Sequence, residues 1–122
     1  MTNSKQKGKR GELEVANILK RMGFNCRRTA QYNGKENGSL ADVIGLPNIH
    51  IEVKRVQSGY TAIHKAMAQA VRDSHGEVPT VWHRQNNTDW LVTMRMSDWL
   101  DLLISSAWLD EVMECNDGKK EK

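Results

Sequence analysis

The stretch Ala41-Asp-Val-Ile-Gly-Leu-Pro-Asn-Ile-His-Ile-Glu-Val-Lys54 decides how this chain folds. From Ile49 to Lys54 apolar and polar residues alternate. In a strand successive side chains point to opposite faces, so Ile49, Ile51 and Val53 share one face while His50, Glu52 and Lys54 share the other. Asp42 to Leu46 reads as a second strand. Pro47-Asn48 between the two is tight-turn chemistry, which predicts antiparallel pairing and sets Asp42 opposite the end of the following strand. Two carboxylates and a lysine are therefore expected together at one place on a sheet.

Such a set has a definite use. Asp42 and Glu52 offer hard oxygen ligands for Mg²⁺ or Mn²⁺ and leave coordination positions for water and phosphate oxygens. The Lys54 ammonium can orient or help deprotonate an attacking water, or stabilise charge developing on the phosphate. That chemistry is phosphodiester hydrolysis. The plainer alternative is that Asp42 caps a turn while Glu52 and Lys54 form a solvated ladder on an exposed sheet face.

A third acid lies upstream. The segment from about Gly11 to Met22 reads as a helix stopped by Gly23. Counting by three and four from Glu12 gives Val15, Ala16, Leu19 and Met22, so this carboxylate ends the core-facing stripe, whereas Glu14, Asn17 and Lys20 fall elsewhere. An acid on an apolar stripe costs free energy unless it is paired or bound to a cation. A first-turn glutamate interacting with the helix dipole is the simpler explanation of the same position.

Taken together, these residues resemble the PD-(D/E)XK nucleases, and within them the small Holliday junction resolvase-like proteins of phages and archaea. The likeness covers most of the chain and rests on order and spacing: Arg10-Gly-Glu12 opening a helix, Gly38-Ser-Leu-Ala-Asp42 in a loop, Ile51-Glu-Val-Lys54 on a strand, and a following helix that carries Gln69. Ala41 stands where the family name implies a proline, a structural residue. By the resemblance, Glu12, Asp42 and Glu52 are the metal-site acids, Lys54 is the active-site lysine, and Gln69 completes the site. It further implies a Mg²⁺-dependent endodeoxyribonuclease, with Mn²⁺ able to substitute, that nicks four-way junctions in symmetric pairs during DNA recombination and repair. Its partners would be branched or double-stranded DNA and a second copy of itself.

Gln69 can also be weighed from its own neighbourhood. Ala62 to Asp73 reads as a helix on which Ala62, Ala66 and Gln69 share a face, so Gln69 is either an amide reaching the site or a border residue beside the stripe Ile63, Met67 and Ala70. His64, Arg72 and His75 fall on the outer side, with Arg72 a candidate phosphate contact.

The chain's 122 residues suit one domain, 1–122, with a basic lead-in over about 1–8 and a tail over about 116–122 that reads as disordered. The formal net charge of +3 is unevenly placed. Lys5, Lys7, Lys9 and Arg10 crowd the start, Arg27 and Arg28 follow the first helix, and Lys54-Arg55 end the motif strand. Cations around acids suit a protein that binds a phosphate backbone and still holds a metal, which makes Lys7, Lys9, Arg10, Arg27, Arg28, Arg55 and Arg72 the candidate DNA contacts. The loop Tyr32–Ser39, rich in Gly and Asn, is a candidate for ordering over DNA, with Ser39 against a phosphate.

Cys26 and Cys115 lie far apart without ligand spacing, which argues against structural zinc. There is no membrane-crossing apolar run and no signal-peptide pattern, so the expected location is the cytoplasm of a bacterial, archaeal or phage-infected cell. His50 shares a face with Glu52, yet strand-end histidines are commonly surface or packing residues, and it stays outside the catalytic set. Pro79 to Arg84 and Trp90 to Arg95 read as a hairpin joined through Gln85–Asp89, whose Asn86-Asn87-Thr88 serves turn geometry. The last helix is expected to start at a Ser97-Asp98 cap and run to Met113. Its apolar stripe is wider than one sheet contact needs, which points to a homodimer through helix 97–113, or else to complete burial within one chain. In order, the elements are helix, three strands, helix, two strands and helix. The fold class is α/β, α+β by stricter naming, a mixed central sheet flanked by helices with a restriction-endonuclease-like core.

Overall fold

A computed structural model of the chain describes residues 4–29, 40–55 and 59–106. Ser39 and the stretch 32–39, positions 107–113 of the expected last helix, Cys115 and the stretch 116–122 lie outside the described residues. The elements are α1 (Ser4–Arg21), β1 (Arg27–Arg28), β2 (Val43–Ile44), β3 (Ile49–Arg55), α2 (Tyr60–Asp73), β4 (Val78–Arg84), β5 (Leu91–Met94) and α3 (Met96–Ile104). Their order and type are those expected from the sequence. They form one five-stranded sheet in the order β1-β2-β3-β4-β5, in which only the β3/β4 pair is parallel. The parallel pair needs a crossover, and α2 provides it.

β3 is covered on both sides, and its alternation separates two cores. On one face α1 lays Val15, Ala16 and Leu19 against Cys26, Val43, Ile51 and Val53. On the other, Ala66 and Ala70 of α2 close on Val81, with Met67 beside them. Small residues let α2 lie close to the strands. Val81 pairs with Glu52 in the parallel register, so the even-numbered residues of β3 face α2. Fully burying a Val or Ile side chain contributes about 1.5–3 kcal/mol, so Val15, Val43 and Ile51, none of them exposed, anchor the first core.

The turn between β2 and β3 is the tight one anticipated: Asn48 adopts φ +63° and the Ile49 N–H donates to the Leu46 carbonyl at 3.2 Å. β2 is shorter than expected because Gly45, at φ +116°, ends it. A side chain at Gly45 would run into the backbone of Asn25 and Cys26, so only glycine fits there.

Three expectations need correction. α1 begins at Ser4 instead of Gly11. The lead-in Ser-Lys-Gln-Lys-Gly-Lys-Arg is made mostly of good helix formers, and Gly8 opposes them by only about 1 kcal/mol. Met22 is 72 % exposed, since the helix has ended at Arg21 and the chain turns outward before the stripe reaches it. α3 starts one residue before Ser97, with Arg95 at its cap, and ends at Ile104 with Ser105 as its C-cap instead of running on to Met113; Asp98 pairs with Arg95 Nε at 2.9 Å instead of capping.

The apolar side of α3 is not covered among the described residues. Met96, Trp99, Leu100, Leu102 and Ile104 are all exposed, as are Leu91 and Val92 on β5. No described helix is long and apolar enough to cross a membrane.

Candidate active site

Asp42 is fixed from three directions. Its N–H donates to the Ile51 carbonyl at 2.9 Å, its carbonyl accepts the Thr29 N–H at 3.1 Å, and its Oδ2 accepts the Val53 N–H at 3.0 Å. The Thr29 hydroxyl also donates to the Ala41 carbonyl at 2.8 Å. Because Val43 pairs with Ile51, the next position along each strand sets Asp42 across from Glu52. The main chain and carboxylate of Asp42 thus engage the two residues flanking Glu52. Both acids are buried, Asp42 at 8 % and Glu52 at 2 % exposure. A carboxylate aimed by a backbone N–H loses little freedom when it takes a ligand, which is what preorganisation means physically.

Glu52 and His50 point to the same face, and His50 Nε2 lies 2.8 Å from Glu52 Oε1 with both side chains essentially inaccessible. The main chain of His50 is held in turn, since the Thr80 hydroxyl donates to its carbonyl at 2.8 Å and Trp82 Nε1 donates to Thr80 Oγ1 at 3.0 Å. Lys54, half-buried, follows on the same face beside His83 of β4. Burial pushes the His83 imidazole below its ordinary value, and its Nε2 is 2.8 Å from the Thr93 hydroxyl. Gln69 is half-buried on α2, next to Ala70 and one turn on from Ala66, which pack on Val81. Asp42, Glu52, Lys54 and the helix bearing Gln69 therefore occupy one side of the sheet.

Glu12 comes from a different helix. It sits on α1, across the sheet, buried to 9 % exposure, with Arg28 Nε 2.7 Å from its Oε1. Among the described residues no three His, Cys, Asp or Glu side chains are grouped to hold a metal ion. What fits a hard divalent cation is the donor chemistry of the facing Asp42 and Glu52 carboxylates, both withdrawn from bulk water.

The proposed phosphate contacts divide into two sets. Lys9, Arg10, Arg27 and Arg72 are exposed and Lys7 is half-exposed. Arg28 is held by Glu12, and Arg55 is turned inward, its Nη1 3.3 Å from Glu14 Oε1 and its Nη2 2.7 Å from Asn86 Oδ1.

The Arg55–Glu14 contact exposes a residue the sequence reading passed over. Glu14 receives Arg55, Arg84 Nη1 at 3.2 Å and Trp90 Nε1 at 3.3 Å, and Arg84 lies 5.7 Å from the centre of the Trp90 ring. It ties α1 to the ends of β3, β4 and the approach to β5. Its partners are 41, 70 and 76 residues away, so no local pattern could have announced them. Gly11 belongs to the same junction: a Cβ there would stand 2.9 Å from Arg55 Cγ and 3.4 Å from Val53 Cγ1.

Depressions open at both ends of β3. One of about 620 Å³ is bordered by Arg27, Leu40, Ala41, Gly45, Asp73 and His75. The other, about 420 Å³, is bordered by Tyr60, Ile63, His83, Gln85 and Leu91, next to the strand position of Lys54.

Among solved structures, one similar to this chain is Hjc of the archaeal hyperthermophile Archaeoglobus fulgidus, a Holliday junction resolvase, with 19 % identity over 72 % of each chain and a TM-score of 0.48. Among curated proteins none matches. The family model described as "Phage putative PDDEXK endonuclease" matches residues 3–122, and the chain therefore belongs to this phage PDDEXK endonuclease family.

Proposed function

We propose that the protein is a Mg²⁺-dependent, structure-specific endodeoxyribonuclease that hydrolyses phosphodiester bonds at four-way junctions in paired symmetric nicks. The observation that carries the chemistry is the buried Asp42 and Glu52 pair, one carboxylate aimed by the Val53 amide and the other by His50, with Lys54 on the same face. Asp42 and Glu52 would hold Mg²⁺ or Mn²⁺, while Glu12, the third acid of the family pattern, is engaged by Arg28. When bound, the cation supplies Lewis-acid polarisation of the phosphate and a more acidic water. The chain's own part is orientation and exclusion: the sheet and α2 keep bulk water from Glu52, and Lys54 presents an ammonium to the water or the phosphate oxygens. Gln69 would approach from α2.

DNA would be held along the cationic start of α1. Lys7 stands in the first turn, where the helix dipole is positive and a cation is disfavoured by about 0.3–1 kcal/mol, with Lys9 and Arg10 in the turn after it. A bound phosphate backbone offsets that cost. Junction specificity is proposed from the resemblance to small resolvases. The uncovered apolar side of α3 supports a homodimer whose two sites would make the two nicks.

A flap, nicking or restriction-like endonuclease acting on linear duplex is the second reading, because the motif names the chemistry and leaves the substrate open. A non-catalytic DNA-binding accessory protein is the third, and two buried, aimed carboxylates weigh against it. Labelled four-way junction and matched linear duplex, each incubated with Mg²⁺ or EDTA beside an Asp42→Asn variant, separate the three. Paired nicks in the junction alone, lost with EDTA and with Asp42→Asn, are expected. Equal cutting of linear duplex supports the second reading, and a metal-independent shift without cleavage the third. Sedimentation as a monomer at micromolar concentration with junction cleavage intact refutes the dimer.

A further inference from the structure

We infer that His50 is a positioning residue for the Glu52 carboxylate, holding one of its oxygens by a hydrogen bond. The inference rests on the reading of Asp42 and Glu52 as cation ligands. His50 Nε2 and Glu52 Oε1 are 2.8 Å apart with side-chain exposures of 1 % and 2 %. A carboxylate buried so far needs a donor.

The contacts of the acids sort by face. On the α1 side, Glu12 meets the Arg28 guanidinium and Glu14 meets Arg55 and Arg84. On the α2 side, Asp42 Oδ2 takes the main-chain N–H of Val53, and Glu52 Oε1 takes an imidazole nitrogen. The rigidity of His50 supports the role. Its backbone lies in the middle of the sheet, paired with Pro79, and its carbonyl is tied to Thr80. Partners that orient a ligand's remaining atoms generally set its affinity for the metal.

The test compares wild type with His50→Gln and His50→Asn. A glutamine amide nitrogen reaches roughly where Nε2 lies, and the asparagine amide, one methylene shorter, does not. Mn²⁺ affinity of the DNA-free protein is measured by calorimetry, with kcat and KM for junction cleavage alongside. His50→Gln should stay within about threefold of wild type, and His50→Asn should bind Mn²⁺ about 10–100-fold more weakly, with kcat falling and KM for DNA unchanged. A folded His50→Asn that binds Mn²⁺ and cleaves as wild type does overturns the role. A second readout needs no variant: titrating wild type with Mg²⁺ should shift the His50 Nε2 resonance saturably, and a resonance that stays put at saturating Mg²⁺ also overturns it. Wild type that neither binds Mn²⁺ nor cleaves refutes the cation-site reading beneath the inference, an outcome distinct from both.

Discussion

Replacing Glu14 by alanine is the perturbation for which the structure gives the clearest magnitude. Its carboxylate, 38 % exposed, receives Arg55, Arg84 and the Trp90 indole at 3.2–3.3 Å. Those distances are long against the 2.7–2.9 Å of strong charge-assisted bonds, and partial exposure screens the charge, so each contact contributes about 0.5–1 kcal/mol. The three together come to about 2 kcal/mol. Relaxation cannot recover much of this, because the Arg55 and Arg84 side chains are only 11 % and 26 % exposed and both Nε atoms are already buried without a partner. At roughly 4 °C per kcal/mol for a domain of this size, Glu14→Ala should lower Tm by about 8 °C, and Glu14→Gln, which keeps an acceptor, by about half that. Urea unfolding followed by tryptophan fluorescence should show the midpoint shifted at unchanged slope. Combining Glu14→Ala with Arg84→Ala should cost less than the sum of the two, by about 0.5 kcal/mol or more. A Glu14→Ala protein within about 0.5 kcal/mol of wild type would refute the assignment of Glu14 as the tie between α1 and the strand ends.

Other expectations follow from the same geometry. Asp42→Asn keeps an oxygen for the Val53 N–H and should fold normally, while single-turnover cleavage by Asp42→Asn and by Lys54→Met falls by about 100-fold or more; near-wild-type rates in either would remove that residue from the chemistry. Because burial lowers the His83 value from 6.5, the unfolded chain binds the proton more readily, and this contribution to stability, fully present above about pH 6.5, is lost as the pH falls toward the folded value. Urea midpoints at pH 7.5, 6.5 and 5.5 should show that decline in wild type and a flatter profile in His83→Gln. Gly45→Ala should destabilise by more than about 2 kcal/mol, since it meets both an unfavourable φ and the Asn25 backbone; a thermal melt like that of wild type contradicts this. Replacing Lys7, Lys9 and Arg10 together with alanine should reduce the slope of log affinity against log salt by about 2–3, and an unchanged slope would place the DNA elsewhere.

The middle of the chain was readable because its signals are local. Alternation from Ile49 to Lys54 fixes a two-faced strand, Pro47-Asn48 fixes the antiparallel turn, and Gly23 fixes a helix end, so Asp42, Glu52 and Lys54 could be placed on one face from spacing alone. Helix boundaries were less legible. Cations at the start of α1 argue against a helix by dipole reasoning, and the propensity of Lys, Gln and Arg outweighs that. Ser97-Asp98 has cap chemistry, yet Asp98 finds Arg95 as its partner. Pairings that cross the fold were beyond reach: Glu12 with Arg28, Glu14 with Arg55 and Arg84, and the way these remove Arg28 and Arg55 from the open cationic surface. His50 stood two residues from Glu52 in plain sight. Only the burial of both side chains turns that proximity into a defined hydrogen bond.

The Val53 amide has a consequence for observing the protein at work. The Val53 N–H donates to Asp42 Oδ2 at 3.0 Å, with Val53 buried and one residue from Glu52. In an ¹H–¹⁵N spectrum this single peak is a resident voltmeter for the acid. Neutralising the carboxylate by a proton, by substitution or by a ligand weakens the pull on the Val53 hydrogen and moves its resonance, with no label introduced and no catalysis required. Events at the buried acids can thus be followed in real time from the backbone itself.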